Sequence, residues 1–338
     1  ADVELESGLG DNEPSATTDV PTKPVTTRAH RIRAMVVYVG AFLLWVELIG
    51  FPNDPIGVFL WIWAAGIAWN IDAPWSYHKR FPKDWWPVLA GLTVYYFSRA
   101  LADNLGVPVH KQMPIDFDRW LSRTFGFGDQ LPTEQLQHAW CAVPCVTETP
   151  THWYDLLFSI TYGTHFFLGL TIAAVLWVRN RESWKRWMRR YLGLNFAALV
   201  IYFAYPMAPP WMASDEGLTP EVHRITSRGF SAIGLERANI ILQGVGNKVA
   251  AMPSLHAGVT FLIAFYAIQR FRSHWRWLLL LYPLAMSTAL VYFAEHYIVD
   301  VLAGGLLAAL VMVACSWWER RHPPAESAVA DRRSEPAL

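Results

Sequence analysis

Eight long apolar runs alternate with polar connections along the chain, at about 34–50, 55–71, 85–105, 154–178, 188–205, 254–271, 275–293 and 297–318. A helix needs about 20 mostly apolar residues to cross a bilayer. Inside lipid it can also satisfy its own backbone hydrogen bonds. The pattern predicts an all-α fold: a polytopic membrane helical bundle of about eight transmembrane helices. The first two runs are short and would tilt less or extend by a turn. Residues 1–27 are acidic, rich in Pro and Thr and almost free of aromatics. Such a segment buries too little apolar surface to order itself. It is expected to be a disordered cytoplasmic tail, as is 321–338, with the membrane domain at 28–320.

Two connections are long, at about 106–153 and 206–252. In the first, Ile115-Asp116-Phe117-Asp118-Arg119-Trp120-Leu121 reads as a short amphipathic helix lying on the membrane surface. The second opens on Tyr205-Pro206-Met207-Ala208-Pro209-Pro210-Trp211. No internal repeat is visible, and the first residues show no cleavable signal-peptide pattern.

Composition agrees with a membrane protein. Hydrophobic residues make up 53% of the 338 positions and charged residues 17%, against about 25% charged in soluble domains. Net charge is zero, which gives no sign of a nucleic-acid partner. Twenty of the 28 Lys and Arg residues fall on one side of the alternating connections and eight on the other. The positive-inside rule then places both termini in the cytoplasm and the two long connections outside. Many of the 18 Trp residues, Trp85, Trp86, Trp275 and Trp317 among them, lie near run ends as interfacial anchors. Cys141 and Cys145 share an outer connection, an oxidising setting in which a disulfide is expected, the alternative being two free thiols. Cys315 lies in an apolar run and is expected to be inert.

The chemistry concentrates between Met252 and Gly305. His256, in Met252-Pro253-Ser254-Leu255-His256-Ala257-Gly258, falls in the first turn of the sixth run. His296, in Glu295-His296-Tyr297-Ile298-Val299-Asp300, falls in the first turn of the eighth. The topology puts both on the outer face. Asp300 lies four residues after His296, one turn deeper on the same helix face. A carboxylate there can hold one imidazole nitrogen while the other faces a substrate. Ionisable residues within a span mark function by default; the bland reading is a buried His–Asp pair that locks two helices together. Pro253 and Ser254 suit a helix start, whose free N–H groups attract phosphate.

Pro253-Ser254-Leu255-His256 with His296-Tyr297-x-Val299-Asp300 resembles the type 2 phosphatidic acid phosphatase (PAP2) superfamily, and within it the branch containing inositol phosphorylceramide synthases. The resemblance covers about runs three to eight, with Tyr162-Gly163-Thr164-His165 and Pro209-Pro210-Trp211 also similar to that branch. The chain departs from the phosphatase pattern at Leu255, where a Gly is usual, and at Ala289 and Leu290, where Ser-Arg is usual. The phosphatases' first motif, Lys with six residues before Arg-Pro, is not recognisable. The resemblance implies that His296 is the nucleophile, that Asp300 orients and charge-balances it, and that His256 protonates the leaving oxygen and later activates the acceptor. Another cation must replace the missing arginine. Candidates on the outer side are Lys248, Arg99, Arg228 and Arg237, with Ser254 and His165 as further substrate contacts. Arg99 could equally pair with Asp103 or snorkel to the interface, and His165 could equally be polar packing. No acidic cluster accompanies these residues, and Cys141, Cys145 and His138 lack a fourth ligand, so no metal and no other cofactor is expected.

These readings converge on an integral membrane phosphotransferase. It would move a phosphoryl or phospho-polyol group, inositol phosphate by resemblance, from a lipid-linked donor to a polyol, sugar or lipid hydroxyl acceptor through a phosphohistidine, on the extracytoplasmic side of the cell membrane. The alternative in the same superfamily is a lipid phosphate phosphatase. Outside it, a transporter or flippase would carry its charges near the bilayer midplane and show repeats, and a structural scaffold would have no use for Asp300.

Overall fold

The described residues of all eight apolar runs are mostly helical in the computed structural model, which describes residues 26–50, 52, 54–101, 106–141, 145–146, 150–233 and 249–322. The helices are α1 (Arg28–Leu48), α2 (Pro55–Trp69), α3 (Arg80–Leu101), α4 (Gln112–Thr124), α5 (Pro132–Trp140), α6 (Trp153–Thr164), α7 (Leu168–Arg179), α8 (Arg181–Ala204), α9 (Leu255–Ile268), α10 (Leu281–Tyr292) and α11 (Ile298–Arg321), with shorter turns between them. Among the described residues there is no β-strand, only isolated bridges joining His110, Met207 and Ala250. The expected tails lie almost wholly outside the described residues.

Helix starts follow local chemistry. Side-chain oxygens of Thr27, Asp54, Asn180 and Ser254 accept backbone N–H groups of the first turns of α1, α2, α8 and α9, satisfying donors that a helix leaves open. Helices α9 and α11 form the centre, with α8 alongside. Trp187, Leu194, Ala198, Leu262 and Ala308 are fully buried in the core they share. Small residues bring α9 and α11 into backbone contact. A Cβ on Gly304 would collide with the carbonyl oxygen of Ser254, and the Ser254 N–H donates to the Asp300 carbonyl at 2.9 Å.

By length and apolarity, α11 alone among the described helices could cross a membrane by itself; α6 and α7 qualify as a pair, bent by 53°. Helices α2 and α9 are apolar but shorter. The outward face of α11 is a stripe of Leu302, Leu306, Leu310, Val313 and Trp317, all exposed.

Four features go beyond the sequence pattern. The fourth run is not one helix: between α6 and α7 the N–H groups of His165, Phe166 and Phe167 donate to carbonyls three residues back, a tighter winding that breaks the axis. The seventh run opens as a 3₁₀ helix, His274–Leu280, before α10. The amphipathic segment 115–121 is helical within α4, and its Pro114, Ile115, Asp118 and Ser122 are buried against the protein. Finally, the first long connection contains α5 as well. Pro132 begins it, and the Glu134 carboxylate accepts the Leu131 N–H at 2.9 Å, a start signal readable in the sequence.

The two long connections are tied to each other and to the bundle. Gln137 of α5 donates to the carbonyls of His223 and Tyr292 at 2.7 and 2.9 Å and accepts the His223 N–H at 3.0 Å. Cys141 and Cys145 form a disulfide. Beside it, fully buried Arg228 pairs with Asp155 at 3.2 Å and donates to the Val146 and Pro150 carbonyls. Asp155 in turn accepts the Tyr292 hydroxyl at 2.8 Å.

Candidate active site

The end of the bundle where α9 and α11 begin gathers the sequence-predicted histidines. Ser254 is buried, and its hydroxyl accepts the Ala257 N–H at 3.3 Å, so it fixes the first turn that carries His256. The chain leaves α10 through Ala294, whose φ of 59° is left-handed. The Ala294 N–H donates to the Val291 carbonyl, and the Glu295 and His296 N–H groups both donate to the Leu290 carbonyl. This is the helix-ending turn that glycine usually completes. An alanine there is strained by roughly 1–2 kcal/mol, and the turn fixes Glu295 and His296 in place.

His296 Nδ1 lies 3.3 Å from Asp300 Oδ2, and Asp300 Oδ2 also accepts the Tyr297 N–H at 2.9 Å. Asp300 is fully buried and His296 nearly so. With the proton on Nδ1 facing the carboxylate, Nε2 carries the free lone pair. The ring centres of His256 and His296 are 5.9 Å apart, so the imidazoles flank a common space without bonding each other. His256 stacks on Tyr162 at 4.5 Å, and its buried Nε2 has no hydrogen-bond partner. His165, at the break between α6 and α7, lies 4.0 Å from the His256 ring, with its buried Nδ1 also unpartnered. The break between α6 and α7 is thus where the chain meets the site through His165.

A carboxylate from a distant segment anchors the start of α11. Asp118 of α4 accepts the Ile298 and Val299 N–H groups at 2.9 and 3.3 Å, capping the helix that carries Asp300. Burial and the nearby Asp300 push the Asp118 carboxyl up to about 7, against the lowering by those two N–H groups.

The candidate phosphate-binding cations separate. Arg99 lies within electrostatic reach of His165, His256 and Tyr162. Arg228 is sequestered with Asp155 beneath the disulfide loop. Arg237 and Lys248 lie outside the described residues. A cation not singled out in the sequence, Arg224, also acts electrostatically on His256 and Tyr162. Among the described residues, no group of three or more His, Cys, Asp or Glu is arranged to hold a metal ion.

The family model described as PAP2 superfamily matches residues 135–314, just over half of the chain and every residue of the histidine site. The chain belongs to the PAP2 superfamily. The match begins within α5, so α1 to α4, and with them the third apolar run, stand outside it. The chain is 29% identical over 167 residues to the catalytic subunit of inositol phosphorylceramide synthase from Schizosaccharomyces pombe, covering 47% of this chain and 39% of that protein. It is 28% identical over 171 residues to the inositol phosphorylceramide synthase of Candida albicans, covering 46% and 35%. It is 29% identical over 178 residues to the phosphoinositol dihydroceramide synthase of Bacteroides thetaiotaomicron, covering 48% and 56%. The matches thus span from about a third to just over half of the length of these relatives. No solved structure matches the chain.

Proposed function

We propose that the protein is an integral membrane phosphotransferase that moves a phospho-polyol group from a lipid-linked donor to a hydroxyl acceptor through a covalent phosphohistidine at His296. The carrying observation is the juxtaposition of His256 and His296, with Asp300 on the far side of His296. His296 Nε2 attacks phosphorus, the bond to the donor's lipid oxygen breaks, and protonated His256 supplies the proton to that leaving oxygen. Neutral His256 then takes the proton of the acceptor hydroxyl, whose oxygen attacks phosphorus and frees His296. Asp300 stabilises the positive charge that His296 acquires.

The relatives' names support a lipid substrate, since they join inositol, phosphate and ceramide or dihydroceramide. The exposed apolar stripe on α11 supports membrane embedding, and the reading of about eight passes rests on the eight apolar runs of the sequence. The charge asymmetry of the connections supports cytoplasmic termini and an outward-facing site.

With a polyol phospholipid as donor and no acceptor, the peptide carrying His296 is expected to gain a phospho-polyol adduct by mass spectrometry, absent from His296→Asn. An adduct on another residue, or none under single turnover with an active enzyme, removes the covalent mechanism. For sidedness, an impermeant thiol reagent applied to sealed cells should label Asp129→Cys and leave Ser183→Cys unlabelled, both in a Cys315→Ser background. Labelling at 183 alone would reverse the orientation.

A further inference from the structure

Transfer of a phosphate ester builds negative charge on the equatorial oxygens, and the site must meet it with fixed donors. The usual arginine position before His296 holds Leu290, which is fully buried and apolar. One guanidinium reaches the turn that carries His296 from the second long connection. Arg224 Nε lies 2.5 Å from Glu295 Oε1 and its Nη2 lies 3.3 Å from Oε2, a two-pronged grip on the residue that directly precedes His296. Its guanidinium also lies over the Trp211 ring at 5.3 Å, and the Trp211 N–H donates to the Ala294 carbonyl at 3.2 Å. The strained turn, the Trp211 segment and Arg224 thus form one assembly. The Arg224 side chain is 28% exposed and that of Glu295 11%, so the pair is partly accessible rather than sealed in the core, as Arg228 and Asp155 are.

We infer that Arg224 is the phosphate-binding cation of this site, and that Glu295 holds its guanidinium in readiness and gives it up, in part, to the phosphate oxygens of the substrate. A guanidinium fork matches a carboxylate and a phosphate with the same two-pronged geometry, so one anion can exchange for the other without moving the arginine far. The inference rests on the proposed phosphotransfer reading and assigns the charge clamp which that reading needs.

The opposing view makes Arg224–Glu295 a strut between the second long connection and the turn. The two views differ in sign. Breaking a strut from either side should disturb the site alike. Removing a competing anion should instead tighten phosphate binding, while removing the cation loosens it. The experiment measures inhibition of the purified full-length protein by orthovanadate and by orthophosphate, with turnover and melting temperature recorded for each variant. Glu295→Gln keeps the side-chain shape and one hydrogen bond to Arg224. It is expected to bind both anions several-fold more tightly. Arg224→Gln is expected to bind them at least about 10-fold more weakly and to lower kcat by roughly 10²-fold, the size of losing one fixed donor to a developing oxyanion. Arg224→Lys should recover part of the affinity and little of kcat, since it keeps the charge without the fork. Weaker or unchanged anion binding in Glu295→Gln overturns the clamp, whatever becomes of the arginine variants. Turnover that survives His296→Asn overturns the phosphohistidine reading instead, and a wild-type protein that binds neither anion overturns both.

Discussion

His296→Ala is expected to abolish turnover, by on the order of 10⁶-fold, the loss seen when a covalent nucleophile is removed. The substitution also strips a buried carboxylate of its imidazole. Asp300 keeps the Tyr297 N–H at 2.9 Å and can take up a proton, so the fold should persist with a lower melting temperature. His296→Asn serves as the gentler companion variant. His256→Ala should cost the roughly 10²–10⁴-fold typical of general acid–base catalysis. If His256 protonates the leaving oxygen as proposed, that loss should shrink for donors with a more acidic leaving alcohol, which a packing defect would not do. Asp300→Asn should lower kcat far more than it raises KM, because the charge on His296 develops only as phosphorus is attacked. Near-wild-type rates in any one variant would remove that residue from the mechanism. The sealed-pair alternative, His296 and Asp300 as a mere helix lock, predicts loss of melting temperature in step with loss of rate.

What the sequence made legible, and what it hid, follows from the range of each interaction. His296 and Asp300 are four residues apart, near enough in sequence for their contact to be foreseen, although His296 stands in the turn before α11 rather than in its first turn. His256 could be placed at the same depth because apolar runs and charge asymmetry define a membrane face. The break at His165 was hidden because a hydropathy window averages over it: Gly163 to Leu168 is apolar enough to continue a span. The cap on α11 was hidden because Asp118 comes from 180 residues away. In the sequence, Asp118 is one polar residue of an amphipathic segment, with nothing local to tie it to α11. The basic residues show the same limit. Sequence can predict that Arg228 and Arg224 share one side of the alternating connections, but not that Arg228 pairs with Asp155 while Arg224 reaches Glu295 beside His296. Helix α5 was readable in principle, since Pro132 and Glu134 mark its start, but its short polar run lacked the apolar length that drew attention elsewhere.

The second large effect concerns the product. Given a polyol phospholipid donor and a lipid with a free hydroxyl, the protein is expected to form a new phosphodiester, with ping-pong kinetics and at most a minor yield of free phosphorylated polyol. A phosphatase and a transferase share the first half-reaction, so they differ in which hydroxyl reaches the phosphorylated His296. That depends on whether the site holds an alcohol and limits water. His296 is 6% exposed, and the departures from the phosphatase pattern, Leu255, Ala289 and Leu290, all fill buried apolar space there. The outer connections carry four tryptophans, Trp120, Trp140, Trp153 and Trp211, that could cover substrates if their faces were free. Trp140 is instead packed against Phe158 and Tyr292, with ring centres 6.0 and 5.9 Å away, and Trp211 lies beside Arg224. Trp120 and Trp153 are exposed and remain available to a lipid chain or a polyol. Of the three relatives, the two fungal proteins are named as synthases of inositol phosphorylceramide and the bacterial one as a synthase of phosphoinositol dihydroceramide. The first panel should therefore pair a phosphatidylinositol donor with ceramide and dihydroceramide, alongside free inositol and other polyols as acceptors. A phosphodiester product from any pair, formed faster than donor hydrolysis, supports transfer. If free phosphorylated polyol or inorganic phosphate is the only product across the panel, while His296→Asn is inactive, the enzyme is a phosphatase that uses the same histidines.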